Sequence, residues 1–242
     1  MHQRKPELWA AVVFFVVATS TAVDAAESVV TCSSCADCQA KLTSGSFSVV
    51  ELDVDIIDYP GTCIELHLGE SNVTFDCAGH LIDGDGPRGE PALDDPEQGI
   101  TMMQGSGNIV RNCTISGFDA ALYLVNASDM VLENNDLVEN WVGIDLSNGD
   151  SNTITGNIVR GSEMGIKITN SDNNTVESNT VCGNFLWDFY HESSTGNVGI
   201  DNTCDTTLYW DDLGTTGCTY TCTIFSCGFE TGDLLEWSGS SG

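Results

Sequence analysis

Residues 152–181, NTITGNIVRGSEMGIKITNSDNNTVESNTV, contain one pattern twice, first as NTITGNIV and then as NTVESNTV. The two copies are 22 residues apart, and related segments stand before and after them as NIVRNCTI, VLENNDLV and NVGIDNTC. Similarity at a fixed period of this length is typical of a solenoid. One column of the alignment, at steps of 22, 22, 22 and 23 residues, contains Cys113, Asn135, Asn157, Asn179 and Asn202.

Within each repeat, the apolar residues have the spacing of short β-strands. The alternating pair Ile144 and Leu146 recurs 22 residues later as Ile166 and Ile168. A period of two is typical of a strand that buries one face, and the Asn, Gly, Asp and Ser residues between strands favour turns. One repeat cannot bury its own apolar face, so successive repeats must stack and share a core. The pattern therefore predicts an all-β chain that folds as a parallel β-helix.

The polar column predicts a ladder of side chains along the stacked coils. An Asn in a turn tolerates unusual backbone angles, and its amide can hydrogen-bond to the identical amide of the next coil. We expect the five residues of this column to form that ladder.

The regular period ends on both sides and is interrupted once. Residues 1–25 combine a charged start, an apolar run and small residues, which is the pattern of a secretory signal peptide. Four further segments follow from the period: a Cys-rich N-terminal cap at 26–60, β-helix coils at 61–207, an insertion at 83–97 within them, and an irregular, Cys-containing tail at 208–242.

The charge of the chain excludes some partners. The 242 residues contain 36 Asp and Glu against 7 Lys and Arg, for a formal net charge of −29. Nucleic acids and anionic membranes bind basic surfaces, so we expect no nucleic-acid partner. After the signal peptide no apolar run is long enough to span a bilayer, so we expect no transmembrane segment in the mature chain.

The 11 cysteines are candidates for disulfides, which persist outside the cytoplasm. The CSSCADC spacing at residues 32–38 also suits zinc, but no second Cys/His cluster matches it, so disulfides are favoured. Cys204 stands in the column of Val181, one coil later. This placement predicts a disulfide between Cys182 and Cys204, with two buried thiols as the alternative.

Several units of the chain resemble a known group of proteins. The segments SNVTFDCAGHLIDGDG, NIVRNCTISGF, GIDLSNGDSNTITGN and NNTVESNTVCGN are similar to the repeats of the NosD-like and carbohydrate-binding/sugar-hydrolase β-helix group. The resemblance covers about residues 45–207 and implies a single-stranded right-handed parallel β-helix. The group includes polysaccharide lyases, polygalacturonase-like hydrolases and epimerases, so the fold alone does not settle the chemistry.

One row of outward-facing residues is the leading candidate for a binding site. Between the two inward residues of one strand column stand Thr101, Tyr123, Asp145, Lys167 and Tyr190. In the resembled families such a strand face binds oligosaccharide, which implies that the tyrosines stack on sugar rings while the charged pair bonds to hydroxyls. The alternative is that Asp145 and Lys167 simply pair with each other and that the tyrosines are ordinary strand residues.

The acidic insertion is a candidate calcium site. Carboxylates in a flexible loop suit Ca²⁺, and we name Asp83, Asp85, Asp94, Asp95 and Glu97 as its ligands. The spacing departs from that of an EF-hand, and a solvated acidic loop is the alternative.

The catalytic and copper-binding patterns of the resembled families are incomplete. The NTD, DD, GHG and RIK elements of polygalacturonases are not all present, and no Arg or Lys has the neighbours of a pectate lyase base. Copper would prefer clustered His, Met or Cys, whereas His67, His80 and His191 are scattered. We assign no catalytic residue.

These observations favour an exported protein that is extracellular, on the cell surface or periplasmic. We expect it to bind a polysaccharide or other glycan, to require no cofactor, and to have calcium as a possible ligand. A polysaccharide lyase or glycoside hydrolase with an unrecognised site is the first alternative, and a structural envelope protein is the second.

Overall fold

The computed structural model describes residues 28–86 and 96–222. In this part of the chain, 21 β-strands and one α-helix form a right-handed parallel β-helix with three sheets. Each regular coil contributes one strand to each sheet. The predicted fold class is confirmed.

The elements are numbered in chain order. The helix is α1 (Cys35–Leu42). Sheet A contains β1 (Val29–Cys32), β2 (Val49–Leu52), β5 (Thr74–Asp76), β8 (Ile109–Arg111), β11 (Val131–Glu133), β14 (Thr153–Thr155), β17 (Thr175–Glu177) and β20 (Val198–Ile200). Sheet B contains β3 (Ile56–Tyr59), β6 (Leu81–Gly84), β9 (Thr114–Ser116), β12 (Asp136–Val138), β15 (Ile158–Arg160) and β18 (Thr180–Val181). Sheet C contains β4 (Ile64–Leu66), β7 (Gln98–Met103), β10 (Ala120–Val125), β13 (Val142–Ser147), β16 (Met164–Thr169), β19 (Trp187–Glu192) and β21 (Thr207–Leu208).

The 22-residue period of the sequence is the register of the sheets. In sheet A, Leu132 pairs with Val110 on one side and with Ile154 on the other. All three side chains are fully buried in the core of the coils. Burying an apolar side chain of this size stabilises the fold by roughly 1.5–3 kcal/mol, so each stacked column contributes along its whole length.

The polar column lies in the core and its amides are bonded from coil to coil. Asn135 Nδ2 donates to Asn157 Oδ1 at 2.9 Å, and Asn157 Nδ2 donates to Asn179 Oδ1 at 3.0 Å. The series continues through Asn202, whose Nδ2 donates to Asp212 Oδ1 at 2.8 Å. At the other end, the Cys113 backbone N–H donates to Asn135 Oδ1.

The backbone angles of the ladder differ from the expectation. The residue in the left-handed region is the one before the ladder Asn, with φ values of 56° at Asn134, 65° at Gly156 and 56° at Ser178. A second ladder, which the sequence did not reveal to us, runs through Asn152, Asn174 and Asn197. These turns are therefore bonded at two corners of the coil.

The N-terminal segment contains a helix that the sequence did not predict. Ser34 caps α1, and its hydroxyl accepts a hydrogen bond from the Asp37 N–H at 3.2 Å. The cysteines of the CSSCADC segment form the disulfides Cys32–Cys38 and Cys35–Cys63, so their sulfurs do not serve as zinc ligands. Strands β2 and β3 lie in the segment expected to cap the fold, yet they pair with β5 and β6, so the sheets begin within it.

The predicted disulfide between Cys182 and Cys204 is wrong. Cys182 bonds to Cys222, and Cys204 bonds to Cys218. Val181 and Cys204 are both buried in the core, whereas Cys182 follows Val181 and is only half-buried. Because neighbouring side chains of a strand point to opposite faces, the two sulfurs lie on different sides of the coil wall.

The tail, which we expected to be irregular, lies against the last coil. Thr203 forms a parallel bridge with Tyr220, and Gly199 forms one with Asp212. A further disulfide, Cys77–Cys113, joins adjacent coils earlier in the chain. The predicted signal peptide and Cys227 lie outside the described residues. Within the described ranges, no helix combines the length and the hydropathy that crossing a bilayer requires.

Candidate functional site

The predicted outward row lies on sheet C, whose central strands are the longest in the fold. Tyr123 pairs in register with Thr101 and Asp145, and Lys167 pairs with Asp145 and Tyr190. Paired strands are about 4.8 Å apart, so the row is a continuous line of side chains. The parallel register brings these residues together because each occupies the same position of its coil.

Two members of the row form an ion pair. Lys167 Nζ lies 2.9 Å from Asp145 Oδ2, and the two side chains are 30% and 15% exposed. The other carboxylate oxygen, Asp145 Oδ1, is buried and has no hydrogen-bond partner among the described residues. The pair therefore gives the surface a neutralised polar patch, and the unbonded acceptor lies beneath it.

The ion pair lies in an open groove of about 310 Å³, which we call the sheet C groove. Its lining is mostly apolar and includes two aromatic side chains together with a few polar and charged ones. The lining residues are Pro96, Gln98, Asp119, Ala120, Tyr123, Trp141, Val142, Asp145, Met164 and Lys167. Four successive coils contribute to the groove through β7, β10, β13 and β16, so its long direction crosses the strands.

Sequence reasoning missed one of the two aromatic residues that line the groove, Trp141. Trp141 immediately precedes β13 and is half-buried. Glu163 takes its position one coil later, 22 residues on, so no aromatic column marks Trp141 in the sequence. The available signal was its place directly before a strand of the predicted binding face.

Tyr190 lies in the row but is not part of the groove lining. Its hydroxyl donates to Glu192 Oε2 at 2.5 Å. This hydrogen bond, with a smaller contribution from burial, raises the pKa of Tyr190 above its usual value. Tyr190 is therefore a neutral phenol one coil beyond Lys167.

A carboxylate pair adjoins the groove where the insertion returns to the sheet. The Glu97 N–H donates to Asp119 Oδ2 at 2.8 Å, and Glu97 Oε1 accepts from the Gly61 N–H at 3.0 Å. Burial and the neighbouring Asp85 carboxylate raise the pKa of Glu97, with a further contribution from Asp119. Glu97 therefore holds a proton more tightly than an ordinary glutamate does.

The proposed calcium ligands are only partly described. Asp94 and Asp95 lie outside the described residues. Asp83 belongs to strand β6 and is buried, where it accepts a hydrogen bond from the Ser116 hydroxyl. No group of three or more His, Cys, Asp or Glu side chains within residues 28–86 and 96–222 is placed to hold a metal ion. The calcium site stays a prediction.

The family and the structural relatives of the chain agree with the β-helix. Residues 71–221 match the family model described as "Periplasmic copper-binding protein (NosD)". No curated protein matches the chain significantly. Among solved structures, the chain is similar to the crystal structure of pectate lyase Pel9A, with a TM-score of 0.51 and 15% sequence identity over 70% of this chain and 48% of that one.

A second solved structure with similarity to the chain is full-length tailspike protein 2 from Escherichia coli O157:H7 bacteriophage CAB120. The TM-score is 0.41 and the identity 13%, over 67% of this chain and 31% of the tailspike. The chain thus spans less than half the length of either solved structure. At 15% identity, the likeness to the pectate lyase shows the fold alone.

The family description names copper, so the His, Met and Cys side chains of this chain bear on whether it can bind that metal. Protein copper sites gather His, Met and Cys side chains in one place. The ten described cysteines all form disulfides. The imidazoles of His67, His80 and His191 each contact another protein group, and Met102 and Met130 are fully buried in the core. Met103 lines an open pocket together with His67, and Met164 lies apart from them in the sheet C groove. Within residues 28–86 and 96–222, His67 and Met103 line one pocket while the other donors are scattered, bonded or buried, so these residues do not fit a copper site.

Proposed function

We propose that this chain, which belongs to the NosD family, is exported and binds an extracellular or cell-surface carbohydrate in the sheet C groove. The observation that carries the proposal is the placement of Tyr123 and Trp141 beside the Asp145 and Lys167 ion pair in one open groove. Binding sites for small ligands combine an apolar lining with a few placed polar groups, and this groove has that composition.

The chemistry of the groove suits a sugar chain. Aromatic side chains offer a large apolar face, and Tyr and Trp tolerate a partly wet surface because each has one polar atom. The side chains of Lys167 and Asp145 are both partly exposed, so the ion pair offers charged donors and an acceptor to sugar hydroxyls. The extent of four coils suits a ligand that lies along the axis of the β-helix.

Five disulfides support export, because such bonds persist mainly in oxidising compartments. The predicted signal peptide is consistent with this location. Export also places the groove where polysaccharides of an envelope or matrix are accessible.

The test is calorimetric titration of the chain with a panel of neutral, amino and acidic hexasaccharides. Replacing Trp141 with Ala should weaken the binding of the best ligand about tenfold, since loss of an aromatic contact costs roughly 0.5–1.5 kcal/mol beyond the lost area. Tyr220→Ala is the matched control, because Tyr220 is 55% exposed in the tail and away from the groove. Equal loss of affinity in both variants would argue against this site.

A polysaccharide-active enzyme is the second candidate function, and Glu97 is the observation that favours it. A general acid in glycoside cleavage must hold its proton near the working pH, and the raised pKa of Glu97 moves it in that direction. The assay is release of reducing ends or unsaturated sugars from the bound polysaccharide. Release that is lost in Glu97→Gln would support catalysis, whereas binding without release would leave a binding protein. Silence in both assays would favour a structural role.

A further inference from the structure

We propose that the sheet C groove selects an uncharged glycan and excludes polyuronates. This inference rests on the proposed function and narrows its ligand class. It also separates this chain from what the name of the structurally similar pectate lyase suggests, since pectate is a chain of acidic sugars. The reason is that the Lys and Arg side chains of the described residues are already paired with carboxylates.

Every Lys and Arg side chain of the described residues lies within 4 Å of a carboxylate. The pairs are Lys41 with Asp37 at 2.7 Å, Arg111 with Asp76 at 2.7 Å, Arg160 with Asp136 at 2.8 Å and Lys167 with Asp145 at 2.9 Å. An acidic polymer needs cations that can exchange water for its carboxylates, and these are already compensated. Each new sugar carboxylate would compete with one that the fold holds in place.

The same pairing of a cation with a carboxylate occurs inside the groove. Lys167 is the single cation among the described residues of its lining, and Asp145 neutralises it. The remaining charge in the lining is the Asp119 carboxylate, beside Glu97. A sugar carboxylate in the groove would be repelled by the Asp119 carboxylate, and the net charge of −29 adds a long-range repulsion. The apolar lining residues Ala120, Val142 and Met164 instead suit the hydrocarbon face of a neutral sugar.

The experiment compares neutral hexasaccharides with a galacturonate hexamer at low and high salt. We expect the galacturonate hexamer to bind at least tenfold more weakly than the best neutral hexamer. Added salt should narrow this gap, because it screens the repulsion while leaving neutral binding unchanged. Tighter binding of the galacturonate hexamer, or binding of an amino-sugar hexamer alone, would overturn the inference and leave the proposed function standing. Absence of binding by any hexamer would instead count against the proposed function.

A substitution provides a sharper test of the cause. Asp145→Asn keeps the shape of the side chain, removes its charge and frees Lys167 in the groove. The affinity for the galacturonate hexamer should then rise about fivefold, which is the effect of one exposed ion pair near the upper end of its usual range.

The matched control is Asp136→Asn. It frees Arg160 from an ion pair of similar length on sheet B, outside the groove, and Asp136 Oδ1 also lacks a hydrogen-bond partner among the described residues. This variant should leave galacturonate affinity unchanged. An equal gain in both variants would show that only the total charge matters, and an unchanged affinity in Asp145→Asn would remove the ion pair as the cause. If Asp145→Asn does not fold, the comparison of hexamers on the unaltered chain still decides the inference.

Discussion

Replacing Asn157 with Leu tests whether the amide ladder holds the coils together. Asn157 is fully buried and makes four side-chain hydrogen bonds. Its Oδ1 accepts from the N–H and from Nδ2 of Asn135, and its Nδ2 donates to the Leu132 carbonyl and to Asn179 Oδ1. Leucine has a similar size but can make none of these bonds.

The expected loss of stability follows from the hydrogen-bond donors that lose their acceptor in Asn157→Leu. At least two donors of Asn135, its N–H and one Nδ2 hydrogen, lose their acceptor in the core. An unsatisfied buried group costs about 1–3 kcal/mol, so the expected loss is roughly 2–6 kcal/mol of unfolding free energy. For a domain of this size, that loss lowers the melting temperature by roughly 5–20 °C.

The assay is thermal unfolding followed by far-ultraviolet circular dichroism. Thr180→Leu is the matched control, because Thr180 is exposed on β18 beside the ladder residue Asn179 and its side chain faces outward. A surface change of this kind should alter stability by less than about 0.5 kcal/mol. A melting temperature of Asn157→Leu equal to that of the unaltered chain would refute the reasoning, since it would mean that the buried amides contribute nothing net.

Two further predictions concern the tail and the acidic rim of the groove. Cys222→Ser should lower the melting temperature, because the disulfide to Cys182 closes a loop of 40 residues, which contributes about 4 kcal/mol in the chain-entropy model. Peptide mapping of the unaltered chain that recovers Cys182 bonded to another cysteine would contradict this prediction. The raised pKa of Glu97 means that the folded chain binds that proton more tightly, so stability is lost as pH rises through the pKa and regained as pH falls. Glu97→Gln, which keeps an acceptor for the Gly61 N–H, should therefore raise the melting temperature at neutral pH but not at acidic pH; an equal shift at both would contradict this explanation.

The repeat pattern of the sequence was sufficient to predict the fold and the order of the outward row. Parallel strands in adjacent coils pair at the same position of the repeat, so residues 22 apart become neighbours whatever the loops do. For this reason the repeat alone predicts the neighbouring positions of Tyr123, Asp145 and Lys167, which pair in register. The alternation of apolar and polar residues likewise determined which side chains enter the core, because it depends only on the local pleat of each strand.

The tertiary structure alone decided what the row faces and how the ends are joined. Trp141 reaches the groove from a turn, and Pro96 arrives there from the far side of the insertion. Neither position belongs to a repeating column, so no period in the sequence predicts where its side chain projects. The partners of Cys182 and Cys204 depend on the path of the tail across the last coil. The repeat in the sequence predicts the contacts between coils. The contacts of turns and of the tail depend on packing in the folded chain, which no repeat describes.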